Sequence, residues 1–317
     1  MKDTPVKTFF TYFPTPEYLS LSAPGMVISD DAITFIAFKR ALFTGTLRLD
    51  RYHRVALPEG VVRLGLIANT ERLVSTLKEF SGRFNLSHVR AILPEEKAYL
   101  FTANIDRVPP EGLRDAVAFI LEENVPIPLS ESVFYFDVIE STPDSAQIKV
   151  IVSVLPQKVA TDYLTAFSAA GLTPVAFDIE SQAIARAIVP KGDEATQLII
   201  NLEGRKTGFY IVEDEVVQFS TTLPFNIGKH VGDLKTEMHK IFAFWGARQT
   251  KIEKALLCGS ASIHQSVVDE LMSECPVPHT FSNPWANLAT GTETLPKDLL
   301  AAEQDYVAAI GSALSHH

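Results

Sequence analysis

The stretch Val27-Ile-Ser-Asp-Asp-Ala-Ile-Thr-Phe-Ile-Ala37 decides the fold. Apolar residues lie on both sides of a short polar segment centred on Asp30-Asp31, a pattern that predicts two strands joined by a tight turn. The stretch Asn201-Leu-Glu-Gly-Arg-Lys-Thr-Gly-Phe-Tyr-Ile-Val212 has the same form and opens the second half of the chain. A strand–turn–strand unit at the head of each half predicts a duplicated lobe.

The segments around these two units alternate between strand and helix patterns. Asn69 is placed as an N-cap before a helix whose apolar face is Leu73, Leu77 and Phe80. Further strands and helices alternate to the end of the chain, with a polar break at Pro190-Lys-Gly-Asp193 between the halves. This order predicts a mixed α/β architecture.

Composition excludes several classes of protein. The chain has 317 residues and a net charge of 28 − 38 = −10, which argues against nonspecific binding of nucleic acid. Its two cysteines indicate no disulfide framework, and no metal-ligand spacing is present. No long apolar run or signal-peptide pattern occurs, so we expect a cytoplasmic protein that reaches a membrane only through a partner.

The order of short motifs resembles the PilM family, the actin-like assembly proteins of type IV pili and type II secretion, and more distantly FtsA. None of the motifs is diagnostic alone, but they occur together in the family order. They are Arg54-Val-Ala-Leu-Pro-Glu-Gly60, Gly65-Leu-Ile67, Leu93-Pro-Glu95, Val125-Pro-Ile-Pro128, Phe136-Asp137, Ala170-Gly-Leu-Thr-Pro174, Phe177-Asp-Ile-Glu180, Leu256-Leu-Cys-Gly259, Asn283-Pro-Trp285 and Ala309-Ile-Gly311.

The resemblance implies a two-lobed actin-like α/β fold with ribonuclease H-like duplicated lobes and an inserted strand-helix-strand-strand subdomain. It divides the chain into an N-terminal extension, a first lobe, the inserted subdomain and a second lobe with a reduced helical part. The predicted bounds are residues 1–23 for the extension, 24–86 and 177–193 for the first lobe, 87–176 for the insert and 194–317 for the second lobe.

The resemblance also implies partners. In the family, the inserted subdomain and the first lobe form a groove that holds the N-terminal peptide of PilN, a membrane protein. We therefore expect a PilN-like tail as the partner, self-association as a further interaction, and a position at the inner face of the cytoplasmic membrane.

In such a fold, ATP with Mg²⁺ binds in the cleft between the lobes, and the family patterns there are eroded in this sequence. The first Asp-Ile-Gly pattern falls on Val27-Ile28-Ser29 and the second on Asn201-Leu202-Glu203, so that both metal-facing carboxylates are lost. The Gly-Gly turn becomes Gly259-Ser260. The candidate nucleotide-binding residues that remain are Ser29, Asp30, Asp31, Asn201, Gly204, Thr207, Gly228, Gly259 and Ser260.

Two functions compete on these observations. The first is a scaffold subunit with a vestigial nucleotide cleft and no hydrolysis. The second is an active ATPase or sugar-kinase-like phosphotransferase in which Asp30 or Asp31, together with Glu203, acts as a relocated metal carboxylate. A third reading keeps ATP as a structural ligand without turnover. In relatives, a longer helical stretch separates the glycine that matches Gly228 from the next strand, whereas here only Lys229 to Glu253 intervenes. The resemblance therefore implies that one wall of the purine site is missing.

Overall fold

The computed structural model describes residues 23–40, 46–140, 145–224, 228–248, 250–259, 265–288 and 295–314. Apart from Ala23, the predicted N-terminal extension lies outside the described residues, and so does Ser260. The strands are β1 Gly25–Ile28, β2 Ala32–Arg40, β3 Leu47–Ala56, β4 Val62–Arg63, β5 Leu66–Ile67, β6 His88–Leu93, β7 Tyr99–Asp106, β8 Ser132–Glu140, β9 Gln147–Pro156, β10 Thr173–Ile179, β11 Gln197–Leu202, β12 Thr207–Glu213, β13 Val216–Leu223, β14 Lys254–Gly259 and β15 His279–Phe281. The α-helices are α1 Thr70–Phe84, α2 Leu113–Asn124, α3 Gln157–Ala169, α4 Glu180–Ile188, α5 Val231–Gly246, α6 Gln265–Met272, α7 Lys297–Ala301 and α8 Val307–Ala313.

The two large sheets have the same topology. The first has the order β10-β6-β1-β2-β3 and the second the order β13-β12-β11-β14-β15. In each sheet a hairpin is followed by a third antiparallel strand, and two further strands add in parallel. The duplicated lobe predicted from the two strand–turn–strand units is therefore confirmed.

Each large sheet has its own apolar core under a pair of helices. Helices α1 and α3 cover the first sheet, and the side chains predicted for the buried face of α1 are all buried. Asn69 caps α1 as predicted, accepting a hydrogen bond from the backbone N–H of Arg72 at 2.9 Å. Helices α5 and α6 cover the second sheet. No helix in the described ranges has the length and apolarity needed to cross a lipid bilayer.

A third core lies between the sheets. Helices α4 and α8 cross there, and their side chains belong to one buried cluster with residues of both sheets. The helices approach closely at Gly311, where an added Cβ would lie 1.7 Å from the carbonyl oxygen of Ala183. The two lobes are joined at this crossing, which places the N-terminus of α4 at the cleft.

The inserted unit is a three-stranded sheet of order β7-β9-β8 with α2 packed on one face. Strand β6 and helix α3 fall within the predicted bounds 87–176, but β6 pairs with β1 and α3 packs on the first sheet. This membership favours narrower bounds for the insert, from β7 to β9. The division into four parts otherwise stays a prediction.

Some elements differ from the sequence-based expectation. The sequence pattern predicts a turn at Glu213-Asp214 between two strands, whereas the turn that joins β12 and β13 is at Asp214-Glu215, both with positive φ (50° and 64°). The sequence pattern predicts one helix over residues 302–314, whereas the structure has a 3₁₀ turn at Glu303–Tyr306 followed by α8, and α7 lies before this range. Strands β10 and β15 were not predicted. Between β13 and β14 the described residues contain one helix, α5.

Candidate functional site

The turns of the two hairpins, β1–β2 and β11–β12, face each other across the cleft. They line two adjoining cavities of about 240 Å³ and about 70 Å³. Six of the residues predicted from the sequence line one cavity or both, so the structure brings most of the candidate positions together. These residues are Ser29, Asp30, Asp31, Asn201, Gly204 and Gly259.

In the first turn, both carboxylates are held by neighbouring groups. Asp30 accepts hydrogen bonds from the backbone N–H of Leu64 at 2.8 Å and of Gly65 at 3.3 Å. Asp31 pairs with Arg54 at 3.0 Å and accepts a hydrogen bond from the Ser29 hydroxyl at 2.7 Å. These contacts anchor the turn to the adjacent loop and to β3. A metal ion would compete with these contacts for the carboxylate oxygens.

At the end of β11, the Asn201 side chain is hydrogen-bonded within the protein. Its side-chain amide donates to Glu203 Oε1 at 3.0 Å, and its Oδ1 accepts a weak hydrogen bond from the Cys258 thiol at 3.7 Å. Gly259 has φ +122°, and an added Cβ would lie 2.0 Å from the carbonyl oxygen of Leu202. Close packing of β14 against β11 therefore accounts for this glycine without a nucleotide.

Two further predicted residues do not line either cavity. Thr207 begins β12 and is fully buried, and its hydroxyl has no hydrogen-bond partner in the described structure. Gly228 lies in the turn before α5. Because the Thr207 hydroxyl is enclosed, it cannot reach a phosphate in the cleft in this conformation.

Sequence reasoning missed the central feature of the cleft, a buried ion-pair cluster around Lys206. The Lys206 ammonium lies 2.5 Å from Glu180 Oε2, 3.4 Å from Glu96 Oε1 and 3.6 Å from Glu203 Oε1. The Lys206 side chain is 11% exposed and that of Glu180 4%. The sequence gives one indication of this cluster: Glu203 and Lys206 are three residues apart in a tight turn, which brings their opposite charges close together.

Burial and charge together set the protonation of this cluster. Burial raises the pKa of Glu180, but the adjacent Lys206 ammonium outweighs it and holds that pKa below its usual value. Burial lowers the pKa of Lys206, yet Glu180, Glu203 and Glu96 raise it well above the usual value. Burial and the charge of Glu180 keep the pKa of Glu203 raised. Lys206 and Glu180 are therefore the charged pair, while the pKa of the Glu203 carboxyl stays above its usual value.

Glu95 adds another carboxyl beside the cluster. Its Oε2 accepts a hydrogen bond from the Ser181 backbone N–H at 2.9 Å, at the N-terminal end of α4. Burial raises the pKa of Glu95 to about 7. The side chain is 3% exposed, and its Oε1 has no partner in the described structure.

The residues of the cleft do not fit a magnesium-bound nucleotide. The first metal-facing position is the apolar Val27, and the Asp30 and Asp31 carboxylates are hydrogen-bonded or paired within the protein. Glu96, Glu180 and Glu203 line the larger cavity and would repel phosphate groups. Among the described residues, no group of three or more His, Cys, Asp or Glu side chains has a geometry that could hold a metal ion.

Replacing Glu95 with glutamine should change how stability depends on pH. The pKa of Glu95 is about 7 in the folded state and 4.5 when unperturbed, so between these pH values the folded protein holds a proton that the unfolded chain has released. The contribution of Glu95 to the free energy of unfolding therefore falls as pH rises across that interval. The full contribution is about 3 kcal/mol. Glu95→Gln keeps an acceptor for Ser181 and removes the ionisation, so its stability relative to wild type should increase with pH.

Urea unfolding at a series of pH values checks this expectation. Glu274→Gln is the control, because the pKa of exposed Glu274 is lowered by Lys235 and its contribution has the opposite sign. Parallel stability curves for wild type and Glu95→Gln would show that Glu95 is not buried as an acid.

A separate groove lies between the inserted unit and the first lobe, and residues of the second lobe, among them Val216 and Asn287, close one side of it. It has a volume of about 610 Å³, and β8, β10 and α4 contribute most of its lining. Strands β8 and β10 are end strands of their sheets among the described residues. An extended chain placed in the groove would therefore lie beside strand edges that can accept another strand.

The lining of the groove combines an exposed aromatic wall with a fixed ionic floor. Tyr135 on β8 is 64% exposed, and its hydroxyl donates to Asp137 at 2.8 Å. On the floor, Arg186 of α4 pairs with Asp178 of β10 at 3.1 Å. The Ser312 hydroxyl donates to the same carboxylate at 2.8 Å. The groove is thus rigid at its base and apolar along one side.

Comparison with known proteins identifies relatives of the chain. The family model of the type IV pilus assembly protein PilM matches residues 25–230. The chain is similar to the structure of a PilM–PilN type IV pilus biogenesis complex, with a TM-score of 0.79 at 18% identity over 92% of this chain and 98% of that one. It is also similar to the ethanolamine utilization protein EutJ from Carboxydothermus hydrogenoformans, with a TM-score of 0.50 at 9% identity over 92% of this chain and 88% of that one. No curated protein sequence matches the chain. The predicted two-lobed actin-like fold is confirmed.

Proposed function

The chain belongs to the type IV pilus assembly protein PilM family, and from this premise we propose that it is a cytoplasmic scaffold that docks the N-terminal tail of a PilN-like membrane protein. The observation that carries the proposal is the groove beside β8 and β10, which is open and large enough for a short extended peptide. The tail of a membrane protein would tether the scaffold to the inner face of the cytoplasmic membrane.

The groove supports this proposal through its chemistry. Tyr135 offers an aromatic surface to apolar side chains of a peptide, and strand edges offer backbone hydrogen bonds. Arg90 and Lys191 also line the groove, together with Asp137 and Glu215. Because this lining carries both signs of charge, it suits a peptide that has apolar side chains and charges of both signs.

The phosphotransferase alternative lacks a supporting observation. Asp30 and Asp31 bind groups of the protein itself, and Glu203 is beside Lys206. We propose that the chain does not hydrolyse ATP. The net charge of −10 supports proteins rather than nucleic acids as partners.

The test is binding of a labelled peptide that carries the N-terminal residues of the PilN-like protein from the same organism, followed by fluorescence anisotropy. Tyr135→Ala should weaken binding by about tenfold or more, because it removes the aromatic wall of the groove. Its effect on the free energy of unfolding should stay within about 0.5 kcal/mol, since the side chain is largely exposed.

Phe119→Ala is the matched control. Phe119 is 72% exposed, but it lies on α2 of the same inserted unit and does not line the groove. Its affinity for the peptide should equal that of wild type. Absence of binding to wild type at high micromolar peptide, or equal losses in the two variants, would contradict the proposed docking site.

A further inference from the structure

We propose that the Lys206 ammonium is a built-in cation of the cleft, which balances the carboxylates of Glu96, Glu180 and Glu203 and occupies space that a metal-bound nucleotide would need. The proposal goes beyond the docking function, and its test needs no partner peptide. It explains why the cleft keeps an ordered set of acidic side chains although the residues expected to bind a metal are lost.

The cluster joins three separate segments of the fold. Glu96 belongs to the turn Glu95–Lys97 that follows β6 of the first sheet, and Glu180 is the first residue of α4. Lys206 ends the turn between β11 and β12 of the second sheet, where the Glu203 backbone N–H donates to the Lys206 carbonyl at 3.0 Å. One ammonium therefore connects the two lobes and the crossing helix.

Burial makes the ammonium necessary. A carboxylate taken out of water needs a partner charge, and removal of one partner from a buried pair destabilises a protein far more than replacement of both. Lys206 is the cation within 4.0 Å of Glu180 in the described structure. Without it, Glu180 would have to bind another cation, take up a proton, or move into solvent.

The other cation that lines the same cavity is already engaged at the surface. Arg205 pairs with Glu59 at 3.2 Å, and both side chains are largely exposed. The cleft thus presents carboxylates inside and a surface ion pair at its edge. Phosphate groups would meet the carboxylates first, and a metal ion that accompanied them would compete with Lys206 for the same oxygens.

The groups that face the ammonium define the conditions of the test. They come from the loop after β6, from α3, from α4, from the β11–β12 turn and from β12, namely Glu96, Tyr163, Glu180, Glu203 and Tyr210. Glu95 and Cys258 lie behind them and interact with Glu180. Acid protonates Glu180 and Glu203 and so removes the charges that the ammonium balances. Loss of the ammonium should therefore have its largest effect on stability where these two carboxyls are ionised.

The experiment compares thermal unfolding of Lys206→Met with that of the wild-type full chain at neutral and at mildly acidic pH. Lys206→Met keeps the aliphatic stem and removes the charge. We expect a lower unfolding midpoint at neutral pH and a smaller difference in acid, whereas loss of packing alone would give the same difference at both. Lys235→Met is the control, because Lys235 pairs at 2.9 Å with the half-exposed Glu274.

A second variant decides the case if Lys206→Met does not fold. In Lys206→Met combined with Glu180→Gln, the charge that needed the ammonium is also removed, so the double variant should fold and unfold at a higher temperature than the single one. A double variant no more stable than the single one would overturn the proposal. So would calorimetry showing submicromolar binding of Mg-ATP to the wild-type chain, since Lys206 is inferred to occupy that space.

Discussion

Gly311→Ala should destabilise the protein by about 3 kcal/mol or more, which is at the upper end of what an added methyl group costs in a packed core. The added Cβ would lie 1.7 Å from the Ala183 carbonyl oxygen and 2.5 Å from its carbonyl carbon. The obstacle is backbone of α4, so no side-chain rotation can relieve it. The helices must separate, and urea unfolding should report a correspondingly lower free energy of unfolding.

Gly82→Ala is the matched control, since it is the same substitution in another helix. Nothing lies within 4 Å of a Cβ added at Gly82 in α1. Alanine is the better helix former, so this variant should be more stable than wild type by about 0.5–1 kcal/mol. If the two variants shifted stability equally, close contact of α4 and α8 would not be the reason for Gly311.

Gly311→Ala should also change the geometry of the cleft. Glu180 begins α4, so a displacement of α4 from α8 would move this carboxylate relative to Lys206. The crossing of the helices and the ion-pair cluster are thus mechanically connected. A conformational change between the lobes would have to alter both together.

Elements with strong local signals were predictable from the sequence. Alternating apolar residues around a polar turn predicted the β1–β2 hairpin. Asn69 as an N-cap, followed by apolar residues at helical spacing, predicted α1. Strand β10 was not predicted because Pro174 interrupts its strand pattern. The structure accommodates this proline at a register shift against β6. Strand β15 was not predicted because its three residues are all exposed, so no alternation of buried and exposed positions marks it. Both strands are held by pairing with distant strands, which a local pattern does not encode.

The candidate site was predictable only in part, for the same reason. The hairpin turns that face the cleft were found because the nucleotide-binding patterns of the family align with them. Their actual partners come from remote segments: Leu64 and Gly65 for Asp30, and Arg54 for Asp31. Whether a carboxylate in a turn faces a metal or a backbone N–H depends on those contacts. The cluster of Lys206 with Glu96 and Glu180 likewise forms only in the folded chain.

Asp178→Ala should be the most damaging change in the groove, with an expected loss of about 3–5 kcal/mol in the free energy of unfolding. It removes the carboxylate that pairs at 3.1 Å with Arg186, whose side chain is only 16% exposed. Arg186 cannot turn into solvent freely, because it also donates to the carbonyl oxygen of Gly311 at 2.8 Å. The exposed pair Lys158–Asp162 on α3 provides the control, and Asp162→Ala should cost no more than about 0.5 kcal/mol.

A double-mutant cycle with Asp178→Leu and Arg186→Met separates the pair from its surroundings. Removal of both charges should cost less than the sum of the single changes, with a coupling of about 1–3 kcal/mol. Additive losses would show that each side chain acts through its other contacts, Ser312 for Asp178 and Gly311 for Arg186. Both charged side chains line the groove. If the double variant folds but binds the PilN-like tail weakly, the Asp178–Arg186 pair contributes to docking as well as to stability.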